Sequence, residues 1–439
     1  MGLPVPPKVY HPRAVVVISA LLDDQIPGSA GIPVTYQAIP RRAEWSRNSA
    51  RKADTAMVEL DFRDFPLDPR MLRDVLVQVH AQDVFVPQRP PVPTRGNLRF
   101  IGLVDTPETK LGESGESVTF QCRDYTGIWL DTKLGFGAPP LAPPISLLQP
   151  LQTIVESLRL LVTPLLPPVV FTDPSSASFV PGRTKGKTLL TVGKDQSAWD
   201  ILSELCQLYG LLPVFELDAL TIRTATRTGA QVRSLIYGQN VSRLSFKRSL
   251  TRSPKTRRIA VNAWNPILGI PVRGVFEPPG ARAPKLGESG ASKIKLVEVS
   301  YNVIGNYTAP ELIILAKRIY DEQATQEIEG EIETRELVDS TELSLLGLAN
   351  GDTMFIRLGR ELQTSIEGMG PAEAVAFLSS VARPNALPPV VAQALVMAWT
   401  TAGKVAVSFY IREATHTWSH DRGYSLRATF VNFLIGQGI

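Results

Sequence analysis

Few residues in this 439-residue chain have the types and spacings that enzymes use, since it contains only four histidines and two cysteines. The segment Gly182 to Thr188, with the sequence GRTKGKT, is similar to a phosphate-binding loop. Such a loop needs four residues between its glycines and a helix after its threonine. Here three residues separate the glycines, and a strand is predicted next at Leu189 to Val192. Nucleotide binding is therefore not expected.

Two other spacings are similar to metal-binding or catalytic motifs. His416 and His420 have the spacing of a zinc-binding helix, but on the strand predicted here their side chains would lie about 13 Å apart. Ser114 is followed directly by a glycine, so Gly112 to Gly115 does not fit a nucleophile elbow. We therefore predict that the protein is not an enzyme and has no catalytic, cofactor-binding or metal-binding residues and no cofactor.

The remaining candidates for chemistry are predicted to serve packing. His80 lies on the opposite face of its predicted strand from Val75, Val77 and Val79, and a lone strand histidine is usually solvated or packed. Cys122, in a strand-like run, and Cys206, in a helix-like run, are expected to be buried structural thiols. Two cysteines exclude a disulfide framework, and a reducing cytoplasm is compatible with them.

Composition limits the class of protein further. At about 100 to 200 residues per domain the chain has about three domains. Charged residues make up 20% of the chain, below the usual value of about 25%, which suggests surface buried against partners. A net charge of +4 is too small to indicate a dedicated nucleic-acid-binding or polybasic membrane protein. The apolar run Ala14 to Leu22 is read as a buried strand, and prolines interrupt Leu141 to Phe171, so no membrane span is expected.

The first part of the chain has strand-like alternation and predicts an antiparallel barrel or sandwich. Its strands are Ala14 to Leu22, Arg51 to Phe62, Val75 to Phe85, Leu98 to Asp105 and Ser117 to Asp124. Four prolines between Phe136 and Pro144 indicate a domain boundary. An amphipathic helix is then predicted over Ile145 to Val162, with Glu156 and Arg159 facing outward.

The segment Thr188 to Thr224 predicts a strand, a helix and a strand. Ser197, with Asp200 three residues later, is typical of a capped helix start. The unit looks somewhat like a peptidoglycan-binding LysM module, although that module's second helix is missing. Sugar binding is one interpretation, and ordinary packing of strand and helix is the other.

Strand patterns resume from Val241, with a helix over Ala309 to Gln326 and then an acidic strand. A closing hairpin is predicted with its turn at His420 to Gly423. The other strands are Val241 to Ser249, Arg257 to Trp264, Ile294 to Val299 and Met354 to Leu358.

The hexamer KLGESG occurs at Lys110 to Gly115 and again at Lys285 to Gly290. We interpret it as a trace of a duplicated β domain, the alternative being convergence of two Gly/Ser loops. The resulting fold class is mainly β with α insertions (α+β): two related antiparallel β-barrel domains and a strand-helix-strand middle domain. The predicted divisions are a first barrel at 1–135, a Pro-rich linker and helix at 136–187, a small domain at 188–236, and a second barrel at 237–439 with helical insertions at 309–326 and 371–402.

Charge is distributed unevenly along the second half. Seven basic residues and no acidic ones lie between Arg243 and Arg258, whereas Asp321 to Glu342 is mostly acidic. Three interpretations remain open: solvated strands, complementary faces on adjoining subunits, or a nucleic-acid groove. The last is the weakest because Phe246 is the one interleaved aromatic residue.

The order of several short motifs resembles the baseplate hub proteins of contractile phage tails, the late control D family, and the related hub part of type VI secretion spikes. The resemblance spans Arg13 to Leu434. Its motifs are Ser197 to Leu202; Leu244 to Phe246 leading through Lys255 to Arg258 into Ile259 to Val261; the helix Ala309 to Gln326 with its acidic strand; Gly351-Asp352 before Met354; and His416 to Ser419 through Gly423-Tyr424.

The resemblance implies a structural protein without catalytic residues of its own. It implies a homotrimer whose two similar barrels per subunit form a ring of six, matching a sixfold tail tube on one side and a threefold central spike on the other. Implied partners are a tail tube or tube-initiator protein, the spike, baseplate wedge proteins and a tape measure protein, with no membrane span and no nucleic acid. The implied location is the virion tail baseplate, assembled in the host cytoplasm.

Overall fold

The computed structural model describes most of the chain, with gaps in several connecting segments. The described residues are 11–22, 31–48, 52–65, 68–84, 92–112, 115–134, 145–146, 148–163, 166–180, 189–190, 196–207, 211–224, 233–237, 241–248, 257–265, 270–277, 297–303, 308–324, 328–334, 345–349, 351–358, 368–380, 392, 396 and 406–435.

Twenty-one strands and six α-helices are formed by these residues. The first β region has β1 His11–Leu22, β2 Pro33–Ala38, β3 Arg42–Arg47, β4 Thr55–Asp61, β5 Leu72–Val84, β6 Leu98–Gly112 and β7 Gly115–Arg123. The middle unit has α1 Thr126–Asp131, β8 Ile145–Ser146, α2 Leu151–Val162, β9 Val169–Phe171, α3 Pro174–Ala177, β10 Leu189–Leu190, α4 Ala198–Gln207, β11 Leu211–Glu216 and β12 Ala219–Thr224.

The second β region contains the remaining strands and helices. They are β13 Arg233–Tyr237, β14 Val241–Arg248, β15 Arg257–Asn265, β16 Ile270–Phe276, β17 Val297–Val303, α5 Ala309–Ala324, β18 Ile328–Thr334, β19 Thr353–Leu358, α6 Pro371–Ser380, β20 Ala406–Ser419 and β21 Gly423–Ile435. Short 3-10 turns lie at Phe62–Asp64, Pro69–Met71, Arg95–Asn97 and Leu345–Gly347.

One sheet of thirteen strands joins the two β regions, in the order β19-β13-β14-β18-β21-β20-β3-β4-β7-β6-β5-β1-β2. The link between the regions is the antiparallel pairing of β20 with β3, from Ala414 opposite Arg47 to Ser419 opposite Arg42. In addition, β19 pairs with β20. The mainly antiparallel α+β class is therefore confirmed, but the two β regions share a sheet, and two separate barrels are not shown.

The core of this main sheet arises from alternation along its strands. In β4 the side chains of Ala56, Val58 and Leu60 are buried while their neighbours are not, the pattern of a strand with one face on a core. Residues from both β regions, including Trp45 and Trp418, belong to one continuous hydrophobic cluster. The sequence pattern found β1, β4, β5, β6 and β7 but missed β2 and β3.

The middle unit has a core of its own, built by Trp129 and Leu134, by α2 and α4, and by β11 and β12. The predicted cap of α4 is confirmed: Ser197 Oγ accepts from the Asp200 N–H at 3.1 Å, and the Asp200 carboxylate accepts from the Ser197 N–H at 3.0 Å. The helix predicted from Ile145 begins at Leu151 instead, after the two-residue strand β8. The prediction that Arg159 faces outward is wrong, because its largely buried side chain donates to the Leu166 carbonyl oxygen at 2.8 Å.

A third, smaller core lies between α5 and a separate sheet with the order β16-β15-β17. We call this helix and sheet the α5 unit. Leu312 and Ala316 of α5 pack against Ile259 and Val261 of β15. The helix approaches β16 so closely at Gly274 that a Cβ atom there would overlap the backbone of Leu312. Only glycine allows this contact.

Candidate assembly surfaces

His80, His416 and the two cysteines are buried and packed, whereas His420 is exposed. His416 is fully buried, stacks on Trp45 with 5.2 Å between ring centroids, and has the Tyr424 hydroxyl 2.7 Å from Nδ1 and the Leu348 carbonyl oxygen 2.9 Å from Nε2. His420 is exposed in the hairpin turn, and its backbone N–H donates to Arg41. The two side chains therefore do not converge on a metal.

His80 is packed, which is one of the two environments that the sequence predicts for it. Its ring nitrogens lie 3.1 Å from the Thr94 carbonyl oxygen and 3.2 Å from Gln78 Oε1, and burial lowers its pKa. Cys122 and Cys206 are both buried free thiols whose pKa values are raised by burial. Thiols of this kind are poor nucleophiles at neutral pH.

The two Gly-rich motifs lie mostly outside the described residues. Gly112 and Gly115 pair at the end of the β6–β7 hairpin, and Gly182 to Thr188 and the second KLGESG copy are not described. Within the described ranges, no group of three His, Cys, Asp or Glu side chains could hold a metal ion, and no helix is long and apolar enough to cross a membrane.

A buried pair of carboxylates, missed by the sequence analysis, lies where the main sheet meets the middle unit. Asp54 precedes β4 and Asp124 follows β7, and the Asp124 N–H donates to the Asp54 carbonyl oxygen at 2.9 Å. Burial raises the pKa of Asp54 to about 6, against the lowering effect of Arg47, whose guanidinium lies 3.1 Å away. Burial, and then the charge of Asp54, raise the pKa of Asp124. Nothing in the local sequence distinguishes these residues from surface turn aspartates.

Arg123 holds α1 in place at the same junction. It donates to Asp105 of β6 and to Asp131 at the end of α1, at 2.9 and 2.8 Å from Nη2. These hydrogen bonds also hold its pKa above the usual range. The two ion pairs fix the direction in which the chain leaves β7 for the middle unit.

The basic and acidic stretches are neighbours within one chain. Arg243 and Lys247 of β14 lie opposite Glu333 and Glu329 of β18. On the other side of β18, Arg427 of β21 pairs with Glu331. None of the three interpretations left open by the sequence predicts this arrangement. The glutamates of β18 lie beside basic side chains of β14 on one side and of β21 on the other.

Exposed large apolar side chains occur in three parts of the described chain. In the first β region they are Ile32, Ile39, Met71 and Val92. On the middle unit they are Leu148, Leu160, Leu161, Val170 and Phe179. On the α5 unit they are Ile270, Val275, Ile313 and Ile314. Where such side chains form a contiguous patch, they are typical of surfaces that contact other proteins.

Two solved structures share this fold over nearly the whole chain. The tail protein from Neisseria meningitidis MC58 superposes with a TM-score of 0.58 and 10% identity, over 95% of this chain and 96% of that one. The 43 kDa tail protein of prophage MuSo2 from Shewanella oneidensis gives a TM-score of 0.55 and 13% identity, over 95% and 98%. No protein-family model and no curated protein matches the sequence. The chain therefore has the fold of these two tail proteins, which confirms at the level of fold the resemblance found in the sequence.

Proposed function

We propose that this protein is a structural hub in the tail of a phage or a related contractile injection system. The observation that carries the proposal is the agreement in fold with two tail proteins, over 95% of this chain and over 96% and 98% of theirs. Because both sequence identities are below 15%, the structural agreement supports a shared fold only. The role in the tail is our inference from that fold.

In the proposed role, three subunits form an adaptor between a sixfold tail tube and a threefold central spike in the baseplate. Two β regions per subunit supply six similar faces, and the KLGESG repeat supports their common origin. The β20–β3 pairing and the shared core would keep the two faces of a subunit in a constant relative position. Such rigidity suits an adaptor that transmits force between tube and spike.

The proposed partners are a tube or tube-initiator protein, the spike, wedge proteins and a tape measure protein. The exposed apolar side chains of the middle unit and the α5 unit are the surfaces that such partners would cover. We also propose that the protein has no catalytic activity, since a hub acts through its contacts.

Light scattering coupled to size-exclusion chromatography tests the trimer. The proposal expects a mass near three times the 48.0 kDa of the chain, and a monomer at every concentration would contradict it. The alternative is a peptidoglycan-binding or wall-hydrolysing tail protein that acts through the middle unit, and binding to purified peptidoglycan together with a zymogram tests it. That alternative gains no support from the strand pairing, because β10 pairs with β8, whereas β12 pairs with β11 and β9. Retention of the chain on peptidoglycan would favour it over the hub.

A further inference from the structure

The main sheet and the middle unit have separate hydrophobic cores, and the chain passes from one to the other directly after β7. Cys122 of β7 belongs to the core of the main sheet, and Trp129 of α1 belongs to the core of the middle unit. The chain thus crosses between the two cores over the short segment 123–128. Movements of one folded unit against another are absorbed by a few residues at the ends of elements, as this segment is.

Asp54 and Asp124 hold this junction closed from both sides. The Asp54 carboxylate accepts from the Asn48 N–H at 2.6 Å and lies 3.1 Å from the Arg47 guanidinium, in the connection between β3 and β4. The Asp124 carboxylate accepts from the Thr126 N–H at 3.1 Å, at the start of α1. The Asp124 N–H donates to the Asp54 carbonyl oxygen at 2.9 Å. The β3–β4 connection and the start of the middle unit are therefore joined through these two aspartates.

The charges of the pair are balanced only while one of its carboxyls carries a proton. Asp54 and Asp124 are each 6% exposed, and Arg47 is the cation paired with Asp54. Two ionised carboxylates beside one guanidinium leave a buried negative charge that is not compensated. Such a charge is strongly unfavourable. Parting Asp124 from Asp54, so that water reaches both, removes this penalty.

Among the described residues, the charged groups on the neighbouring elements are engaged elsewhere and supply no second cation. Arg123 of β7 pairs with Asp105 of β6 and with Asp131 of α1. Lys52, which is 69% exposed, pairs with Glu413 of β20 at 3.8 Å. The balance of charge at the junction therefore depends on the proton of the pair itself.

The direction of the pH dependence follows from burial. Burial raises the pKa of Asp54 to about 6, against the lowering effect of Arg47, and burial and then the charge of Asp54 raise the pKa of Asp124. Asp54 therefore ionises first, and its charge opposes the ionisation of Asp124. Because both pKa values are raised in the closed junction, closure is favoured at low pH and weakens as the pH rises above about 6. The adjacent Cys122 and Tyr125 stay neutral to about pH 9, since burial raises their pKa values too.

We propose that Asp54 and Asp124 form a pH-sensitive latch, which holds the middle unit against the main sheet while the pair keeps one proton and releases it when that proton leaves. Opening rotates the middle unit about the segment 123–128 and leaves both cores intact. The exposed ion pair of Arg95 with Asp218, at 3.0 Å, also joins the first β region to the middle unit and parts in the open state. The latch is a property of the single chain and does not depend on the proposed role in a tail.

Hydrogen exchange of the purified chain, measured by mass spectrometry and corrected for the intrinsic effect of pH, tests the latch. Between about pH 6 and pH 9 we expect the protection of residues 124–132 to fall at least about tenfold, while the protection of α4 in the core of the middle unit stays constant. Protection of 124–132 that does not change with pH would overturn the proposal. An equal loss in α4 would also overturn it, because the middle unit would then be unfolding.

A distance measurement tests the movement itself. Spin labels attached at Gln37→Cys on β2 and Gln152→Cys on α2 report the separation of the main sheet and the middle unit, because both positions are exposed and the two native cysteines are buried. Pulsed electron paramagnetic resonance should give one narrow distribution of distances at about pH 6 and a second, different distribution at about pH 9. The same distribution at both pH values would contradict opening.

Asp124→Asn tests the assignment of the proton. Asparagine keeps the size of the side chain and its acceptor for the Thr126 N–H but cannot ionise, so the tenfold loss of protection should disappear. Asp421→Asn in the exposed hairpin turn is the matched control and should behave as the wild type. Asp54→Asn leaves Arg47 to balance an ionised Asp124, so it gives the same expectation and replaces Asp124→Asn if circular dichroism shows that variant to be unfolded. A folded Asp124→Asn chain that opens as the wild type does would contradict the latch.

Discussion

The indole N–H of Trp418 donates a hydrogen bond of 2.8 Å to the carbonyl oxygen of Pro12, joining residues 406 positions apart. Trp418 lies near the end of β20 and Pro12 near the start of β1, so this bond ties the closing hairpin to the first strand. Both side chains of the adjoining hairpin pair, Trp418 and Tyr424, are buried. The first and second β regions are therefore held together by a specific polar contact as well as by their common core.

Replacing Trp418 with phenylalanine tests this contact. The substitution keeps an aromatic ring but removes the donor, so we expect the free energy of unfolding to fall by about 1 to 3 kcal/mol. Urea unfolding measures the loss. Arg422→Ala in the exposed hairpin turn is the control and should change stability by less than about 0.5 kcal/mol. An unchanged urea midpoint for Trp418→Phe would show that the contact is dispensable.

The Asp54 carboxyl should make stability depend on pH. Its pKa is about 6 in the folded chain and near 3.8 when unfolded, so the folded chain binds the proton more tightly. This group's contribution is therefore fully present below about pH 4, is lost as the pH rises to about 6, and stays lost above it. The difference is up to about 3 kcal/mol, at 1.36 kcal/mol per pKa unit.

Asp54→Asn should therefore gain stability relative to the wild type between pH 4 and pH 8, as measured by urea midpoints across that range. Asp124, with its own raised pKa, and Arg47 both adjoin this site and remain in the variant. Asp64→Asn, in an exposed 3-10 turn, is the control, and its urea midpoints should change with pH in the same way as those of the wild type. A constant offset between Asp54→Asn and the wild type would show that Asp54 does not titrate in this range.

Gly330 explains how the acidic strand β18 fits between its neighbours. A Cβ atom at this position would overlap the Phe430 ring of β21 and the Ser245 carbonyl oxygen of β14. Gly330→Ala should therefore destabilise the chain by about 1 to 3 kcal/mol, because the buried Phe430 ring must move. Thermal unfolding measures this, with Gly96→Ala as the control, because the nearest atom to an added Cβ there is Thr94 Oγ1 at 4.0 Å. Equal midpoints for the two variants would contradict the close packing.

The position of β14 beside the acidic strand β18 leads to a prediction about DNA. Because Arg243 and Lys247 lie opposite glutamates of the same chain, their field is largely neutralised and they should not hold a phosphate backbone. We expect no salt-dependent retention of the chain on immobilised DNA, even at low ionic strength. Retention that weakens as salt is added, and that Lys247→Ala reduces, would revive the nucleic-acid interpretation.

Alternation of apolar residues was enough to predict most strands, because a strand with one buried face has a period of two. It found β4 through Ala56, Val58 and Leu60. The alternation did not reveal the short strands β2 and β3. Strand β2 lies at the sheet edge and has polar residues at its exposed positions, and β3 has only two buried apolar residues, Ala43 and Trp45.

Contacts between residues far apart in the sequence could not be predicted from local sequence patterns. The pairing of Ala414 with Arg47 and the burial of Asp54 beside Asp124 depend on parts of the chain that are far apart in sequence. Arg159 was missed for a local reason: its charge suggests a solvated position, but its guanidinium donates to the Leu166 carbonyl oxygen seven residues later. The position of Ile313 beside β16 depends on the contact of α5 with Gly274, which lies far from it in sequence.

Cryo-electron microscopy of purified tails that contain this protein tests the central claim most directly. The proposed hub predicts three copies of the chain at the distal end, between a sixfold tube and a threefold spike, with the two β regions of each copy facing the tube. Density for the chain at another place in the particle, in another number of copies, or nowhere in the tail would contradict it.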